Sequence, residues 1–233
     1  MSETITYARP DGVQVSGYLS APSGSASAPG MVVIQEWWGL NDQIKAVADR
    51  LAAAGYRAVV PDLYRGKVAI EEREAKHLMG DLNFADAASQ DIRGAVQFLK
   101  RSGSGKTGVT GFCMGGALTV LSACHVPEAD AAVIWYGCPP LEYVDASRVR
   151  APLMGHWGTQ DSVFPISQVE GLEAKLREAG IAFEFYRYEA KHAFANEGAD
   201  AKHLAYLGYN PAAARLAWER TLAFLQRTLR PEH

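Results

Sequence analysis

The residues best suited to chemistry lie in segment 106–120, which predicts a strand, a sharp turn and a helix with Cys113 at the turn. Its pattern Gly-x-Cys-x-Gly is that of a nucleophile elbow, with cysteine in place of the more common serine. Gly111 and Gly115 leave room around the strained turn, and a side chain at Gly116 would crowd the helix against the strand. At a helix N-terminus the dipole favours the thiolate, which is the reactive form. We therefore interpret Cys113 as a nucleophile.

This glycine-rich turn has two other interpretations. A phosphate-binding loop is disfavoured, because no Lys-Ser or Lys-Thr pair follows the glycines and Gly-x-Gly-x-x-Gly is absent. An ordinary tight turn that contains a small, buried cysteine stays open from this segment alone. The choice therefore depends on whether a base and an acid follow Cys113 along the chain.

In hydrolases with this elbow, an Asp or Glu and then a His follow the nucleophile. Asp161 comes shortly after the predicted strand 152–156, and His192 shortly after the predicted strand 182–188. The carboxyl ends of parallel strands meet at one edge of a sheet, and Cys113 lies at the same edge. The sequence therefore predicts a triad of Cys113, Asp161 and His192.

Each partner has an alternative explanation. Asp161 follows Gly-x-x and could simply cap a turn. His192 competes with His125 at a helix end, with His156 inside a strand and with His203 in a polar loop. A histidine inside a strand is more typical of a hydrogen-bonded core residue than of a base, and the histidine spacings do not suit a metal ion.

Attack on a carbonyl also requires backbone donors for the oxyanion. The elbow predicts the Met114 N–H as one donor and an N–H from the loop after the apolar strand 31–34 as the other, for which Trp37 is the candidate. Glu36 lies in the same loop. A carboxylate that follows a fully apolar strand is costly unless it is paired, although a solvated loop carboxylate is the alternative.

Strand and helix patterns alternate along the chain, which predicts a mostly parallel sheet with helices on both faces. With 233 residues, 48% of them hydrophobic, we expect a single domain over residues 1–233. The predicted strands are 13–19, 31–34, 56–60, 108–110, 131–135, 152–156 and 182–188, and the predicted helices lie at 41–55, around 92–99, around 169–177 and from 211 onward.

Composition excludes several classes of function. A net charge of −3 with 21% charged residues does not suggest nucleic acid as a partner. We see neither a signal peptide nor a run of about 18 apolar residues, and so expect a cytoplasmic protein without a membrane partner. The chain has three cysteines, an odd number, and no Cys-x-x-Cys motif, so we expect neither a zinc site nor a set of disulfides. Cys124 and Cys138 are expected to be packing residues.

With these residues in place, the chain resembles the dienelactone hydrolase (carboxymethylenebutenolidase) family of the α/β-hydrolase superfamily. The motifs lie in the family's order and cover most of the chain from about residue 30 to 225: Gln35-Glu36-x-x-Gly39, Val60-Pro-Asp-Leu-Tyr64, Gly111-Phe-Cys-Met-Gly-Gly-Ala-Leu118, Gly158-x-x-Asp161 and His192-x-Phe194. The resemblance implies an α/β-hydrolase fold and hydrolysis of an ester or lactone through a covalent acyl-enzyme, without a cofactor. It also implies that Glu36 contacts the resting thiol until substrate displaces it.

The resemblance further implies where substrate binds. Family members that act on dienelactones hold the substrate carboxylate with two arginines; this chain has Asn196 at one of these positions, and Arg73 is a possible match for the other. We therefore expect a related, less anionic small ester or lactone as the partner of a monomer or weak homodimer. Trp38 and Tyr136, with Trp37, Tyr64 and Phe194, could line an aromatic pocket or form core. Thioester or peptide hydrolysis, and a non-catalytic binding module, are the alternatives.

Overall fold

The computed structural model describes residues 1–24 and 26–230. Within them, eight strands form one sheet in the order β1-β2-β4-β3-β5-β6-β7-β8. Neighbours from β4 to β8 pair in parallel, while β1 and β2 are joined antiparallel to the edge. The mostly parallel sheet is thereby confirmed. The strands are β1 (Ser2–Ala8), β2 (Gln14–Ser20), β3 (Gly30–Ile34), β4 (Arg57–Pro61), β5 (Thr107–Phe112), β6 (Ala131–Trp135), β7 (Leu153–Gly158) and β8 (Phe183–Tyr188).

Helices cover both faces of the sheet. Successive strand residues point to opposite faces. Met31 and Val33 of β3 pack with α1 and α7, whereas Val32 and Ile34 pack with α2, α4 and α5. The second face continues over β6 and β7, where α5 and α6 cover it. The helices are α1 (Asp42–Ala53), α2 (Glu72–Asp81), α3 (Phe84–Asp86), α4 (Arg93–Arg101), α5 (Met114–His125), α6 (Ile166–Glu178) and α7 (Pro211–Leu229).

Local signals place the ends of several helices as the sequence predicted. The Asn41 side chain caps α1 by accepting a hydrogen bond from the Ile44 N–H at 3.1 Å, and Gly55 follows the helix with a φ of +90°. Pro211 is the first residue of α7, as a proline without an N–H allows. These helices therefore begin and end where capping chemistry favours it.

Two parts of the fold differ from the sequence-based prediction. Strand β1 was not predicted; it lies at the edge of the sheet, and most of its residues are exposed. The helical stripe predicted around 92–99 begins earlier, because α3 passes through a π-helical stretch, Ala87–Ile92, into α4. That stretch buries Asp91, whose carboxylate pairs with Arg9 at 3.2 Å and with Arg65 at 2.6 Å.

None of the helices in the described part of the chain combines the length and the apolar character that a membrane span requires.

Candidate active site

Cys113 lies between β5 and α5 with φ +56° and ψ −117°, a conformation that non-glycine residues rarely adopt. Its N–H donates to the Trp135 carbonyl of β6 at 3.0 Å. The surrounding glycines are required by space: a Cβ on Gly116 would lie 2.5 Å from the Trp135 carbonyl oxygen, and one on Gly111 would overlap the Gly115 carbonyl. The strand–turn–helix geometry predicted around Cys113 is therefore present.

The structure brings Cys113, His192 and Asp161 together. His192 Nε2 lies 3.1 Å from Cys113 Sγ, and His192 Nδ1 lies 2.7 Å from Asp161 Oδ2. The other Asp161 oxygen accepts hydrogen bonds from the N–H groups of Val163 and Phe164 at 2.7 and 2.9 Å. These bonds fix the carboxylate, which in turn orients the imidazole toward the sulfur.

The His192 imidazole lies between two groups that favour its protonated form. Burial of the ring acts to lower the pKa of His192, but the neighbouring Cys113 sulfur and the Asp161 carboxylate raise it, and the net pKa lies well above its ordinary value. The protonated imidazolium is therefore the form of His192 that this environment favours at neutral pH.

The competing histidines have other surroundings. His156 in β7 is fully buried, with its two ring nitrogens 2.9 Å from the Tyr188 hydroxyl and from Thr221 Oγ1. Burial lowers the pKa of His156 to about 3, so the ring is a neutral core residue, as its position in a strand predicted. His125 ends α5, and His203 follows the short 3₁₀ turn Asp200–Lys202.

Glu36 is buried, which excludes the alternative of a solvated loop carboxylate. Its carboxylate accepts a hydrogen bond from Asn196 Nδ2 at 2.8 Å and one from the Tyr136 hydroxyl at 3.4 Å. Burial raises the pKa of Glu36, while His192, Asn196 and Tyr136 partly oppose that rise. Among the described residues, the side-chain bonds of Glu36 go to these two partners, not to Cys113. The structure described thus holds no hydrogen bond between Glu36 and the resting thiol, whose contact the resemblance implied.

The two predicted oxyanion donors lie on segments that touch. Met114 is the first residue of α5, and Trp37 lies in the turn after β3. This turn packs closely on the first turn of α5, since a Cβ on Gly115 would lie 2.6 Å from the Gln35 carbonyl oxygen. Within residues 1–24 and 26–230, no hydrogen bond uses the N–H of Trp37 or of Met114, so both groups are available to a ligand.

A cavity of about 1010 Å³ opens on the sulfur. Its lining atoms are mostly apolar, and its only Lys or Arg among the described residues is Lys76 of α2. The lining residues are Glu36, Trp37, Trp38, Lys76, Met79, Asn83, Phe84, Ala85, Cys113, Met114, Ala117, Leu121, His125, Cys138, Pro139, Pro140, Tyr143, Val163, Phe164, His192, Ala193, Tyr206 and Leu207.

The predicted substrate-binding residues divide into two groups. Trp38 is buried and lines the cavity, with Lys202 Nζ 3.8 Å from its ring centre. Arg73 is exposed on α2 and does not line the cavity, and Lys76 of the same helix supplies the cation instead. Tyr136 and Asn196 lie behind the lining and bind Glu36. No sequence signal identified Lys76, because its place depends on how α2 packs over the site.

Of the other aromatic candidates, Trp37 lines the cavity, whereas Tyr64 and Phe194 belong to the core. The part of the chain that the structure describes holds no group of three or more His, Cys, Asp or Glu side chains placed to bind a metal ion.

The sequence of this chain matches that of a known protein family. The sequence model of the dienelactone hydrolase family matches residues 15–229. The chain belongs to the dienelactone hydrolase family. Two relatives are a protein named usf of Aquifex pyrophilus, 34% identical over 94% of this chain and 96% of its own, and a provisionally named carboxymethylenebutenolidase of Aquifex aeolicus, 30% identical over the same shares.

A solved structure supports the same assignment. The crystal structure of a provisionally assigned dienelactone hydrolase from Klebsiella pneumoniae superimposes with a TM-score of 0.82 at 29% identity and covers 97% of this chain and 99% of that one. The chain is thus a hydrolase with the α/β-hydrolase fold. Cys113 lies at the turn between β5 and α5 of this fold.

Proposed function

We propose that this member of the dienelactone hydrolase family hydrolyses carboxylic esters or lactones, with Cys113 as nucleophile, His192 as proton carrier and Asp161 as its orienting acid. The observation that carries the proposal is the hydrogen-bonded sequence Sγ–Nε2 at 3.1 Å and Nδ1–Oδ2 at 2.7 Å beside an apolar cavity. Nucleophile and base lie within proton-transfer distance, and a third group fixes the base.

Acylation begins with the Cys113 thiolate. Its sulfur forms a bond to the carbonyl carbon, and the carbonyl oxygen takes the negative charge, which the N–H groups of Met114 and Trp37 stabilise. When the tetrahedral intermediate collapses, the carbon–oxygen bond to the alcohol breaks. The alcohol oxygen takes the proton from His192 Nε2, which leaves a thioester on Cys113 and a neutral imidazole.

Deacylation consumes one water. His192 Nε2 accepts a proton from that water as its oxygen bonds to the thioester carbon. The carbon–sulfur bond then breaks and the electron pair returns to the sulfur, which restores the thiolate and the imidazolium and releases the acid. Asp161 holds the imidazole in the tautomer and orientation that both steps need.

Glu36 has a positioning role in this scheme. Asn196 and Tyr136 bind its carboxylate, whereas the Cys113 sulfur is hydrogen-bonded to His192. This corresponds to the arrangement that the resemblance assigns to the substrate-bound enzyme. We therefore expect Glu36→Gln, which keeps the shape and loses the charge, to lower kcat less than tenfold, far less than the loss of Cys113.

The substrate is expected to be less anionic than a dienelactone carboxylate. Asn196 stands where the family has an arginine, and it is bound to Glu36 instead of facing the cavity. The cavity wall is mostly apolar, and such a surface favours a neutral ligand. Comparing kcat/KM for a neutral aryl ester with kcat/KM for a dienelactone carboxylate tests this, and a strong preference for the carboxylate would contradict it.

Hydrolysis by the wild type, Cys113→Ala and Cys113→Ser tests the proposal as a whole. We expect a loss of about a thousandfold or more in kcat for Cys113→Ala, because the covalent route disappears, and accumulation of a thioester on the wild-type sulfur that mass spectrometry detects. Acyl-thioester and peptide substrates in the same panel separate the alternative hydrolytic activities. Equal turnover by wild type and Cys113→Ala would contradict Cys113 as the nucleophile, and turnover by neither would favour a binding module.

A further inference from the structure

The cavity extends along one face of α5. Ala117, Leu121 and His125 all line it, and each lies four residues beyond the last, starting from Cys113. Residues four apart lie on the same face of an α-helix. With a rise of 1.5 Å per residue, this face runs for roughly 18 Å from the nucleophile to the far end of the helix.

The opposite walls come from elements that are distant in sequence. Met79 of α2 and Phe84 of α3 form one side, and the segment after β6, with Pro139, Pro140 and Tyr143, forms another. The resulting channel is elongated, mostly apolar and continuous with the sulfur. Its shape and surface fit a linear hydrocarbon chain better than a compact, charged ring.

The volume of the cavity and the exposure of two residues that line it support this interpretation of the channel. At about 1010 Å³ the cavity lies at the upper end of the range for sites that hold drug-sized ligands. Tyr143 and Val163 line it while their side chains stay 63% and 41% exposed. Exposed apolar side chains at the rim of an apolar cavity mark a binding surface.

We propose that the physiological substrate is an ester with a long, unbranched acyl chain that lies along α5 in this channel. The inference rests on the proposed function. The acyl group is assigned to α5 because its carbonyl carbon is bonded to Cys113 Sγ in the acyl-enzyme, at the N-terminus of that helix. The alcohol lies beside His192, which must protonate it. The products are a fatty acid and an alcohol, and water is the only co-substrate.

The first test uses the wild type alone. A series of p-nitrophenyl esters from acetyl to dodecanoyl, each below its micellar concentration, gives kcat/KM against chain length. Each methylene buried in the channel contributes up to about a fourfold rise, so we expect at least roughly a tenfold rise from acetyl to octanoyl. A flat or falling series would overturn the proposal.

The second test narrows the channel. In Leu121→Trp the indole would fill the channel two turns beyond the nucleophile, and we expect the octanoyl-to-acetyl ratio of kcat/KM to fall to about one. Leu216→Trp is the matched control, since Leu216 is exposed on α7 outside the cavity. His125→Trp narrows the far end and should lower the ratio for dodecanoyl more than for butanoyl esters. An unchanged ratio in both channel variants would contradict the assignment.

A third series compares the effect of the alcohol's length with that of the acyl chain. It also distinguishes failure of this inference from failure of the proposed function. Acetate esters of alcohols from ethanol to octanol should show a weaker dependence on chain length than the acyl series. A stronger dependence on the alcohol would overturn the placement along α5. If Cys113→Ala loses hydrolysis of the acetyl ester, but kcat/KM of the wild type does not change with acyl chain length, the channel alone is refuted. If the wild type hydrolyses no ester, the proposed function is refuted.

Discussion

At the scale of single residues, the candidate site consists of three side chains that lie at or after the ends of strands. The types and order of Cys113, Asp161 and His192 were enough to predict that they meet, because parallel strands end at one edge. The partners of Glu36 could not be predicted in this way. Asn196 and Tyr136 lie 160 and 100 residues away along the chain, and only the packed structure shows that they bind its carboxylate.

The charge state of the pair leads to a prediction about alkylation. The raised pKa of His192 keeps the ring protonated through neutral pH, so a positive charge lies 3.1 Å from the Cys113 sulfur. We expect iodoacetamide to alkylate Cys113 rapidly at pH 7, because a neighbouring cation favours the thiolate that attacks. Mass spectrometry after timed labelling gives the rate.

Two controls accompany the alkylation measurement. His192→Ala removes the imidazolium and should slow the alkylation of Cys113 at pH 7 by roughly tenfold or more. Cys124 and Cys138 are buried, and burial raises the pKa of Cys138 to about 12, so neither should react in the folded protein. Equal rates of Cys113 alkylation in the wild type and in His192→Ala would show that the ion pair is not formed.

At the scale of elements, the elbow is held by contacts that leave no space for a side chain. The glycine pattern predicted this, because its spacing is local and its geometry follows from one turn. Strand β1 was missed since it has mostly exposed residues and pairs only with β2 at the edge. The π-helical stretch before α4 was missed because it buries Asp91, and the two arginines that bind this carboxylate are distant in the sequence.

Gly116→Ala tests the elbow. The new Cβ would lie 2.5 Å from the Trp135 carbonyl oxygen, so α5 must move away from β6. Overpacking of this kind costs about 1–3 kcal/mol, and we expect that loss in the free energy of unfolding by urea titration, together with lower kcat because Cys113 moves. Gly80→Ala in α2 is the matched control, as its Cβ meets no atom within 4 Å. It should leave stability unchanged or raise it by up to about 1 kcal/mol. Equal effects of both substitutions would contradict this explanation.

At the scale of the whole molecule, one sheet carries the candidate site at its edge, and helices on both faces of the sheet complete the core. The alternation of patterns predicted this architecture, and the family match over residues 15–229 agrees with it. The channel along α5 could not be predicted, because its walls come from α2, α3 and the segment after β6. That residues 1–233 form a single domain stays a prediction, which a single cooperative unfolding transition would support.

The core on the α7 side makes the whole fold sensitive to acid. His156 joins β7 to β8 through Tyr188 and to α7 through Thr221, and burial lowers its pKa to about 3. The unfolded chain binds a proton at this residue near pH 6.5, whereas the folded chain does not until about pH 3. Between these values the unfolded state holds more protons, so stability falls as pH falls, by up to about 1.4 kcal/mol per pH unit from this residue.

His156→Gln should remove that dependence, because the amide does not titrate. We expect the variant to be less stable than the wild type at pH 7, where packing and hydrogen bonds are lost, and the difference to shrink by about 2 kcal/mol or more on going to pH 4.5. Urea unfolding at both values measures it. His77→Gln on the exposed face of α2 is the control for the same substitution outside the core, since that side chain is 74% exposed. If the difference in the free energy of unfolding between wild type and His156→Gln stays constant with pH, His156 is protonated equally in the folded and unfolded states. The assignment of His156 as a neutral core residue would then be wrong.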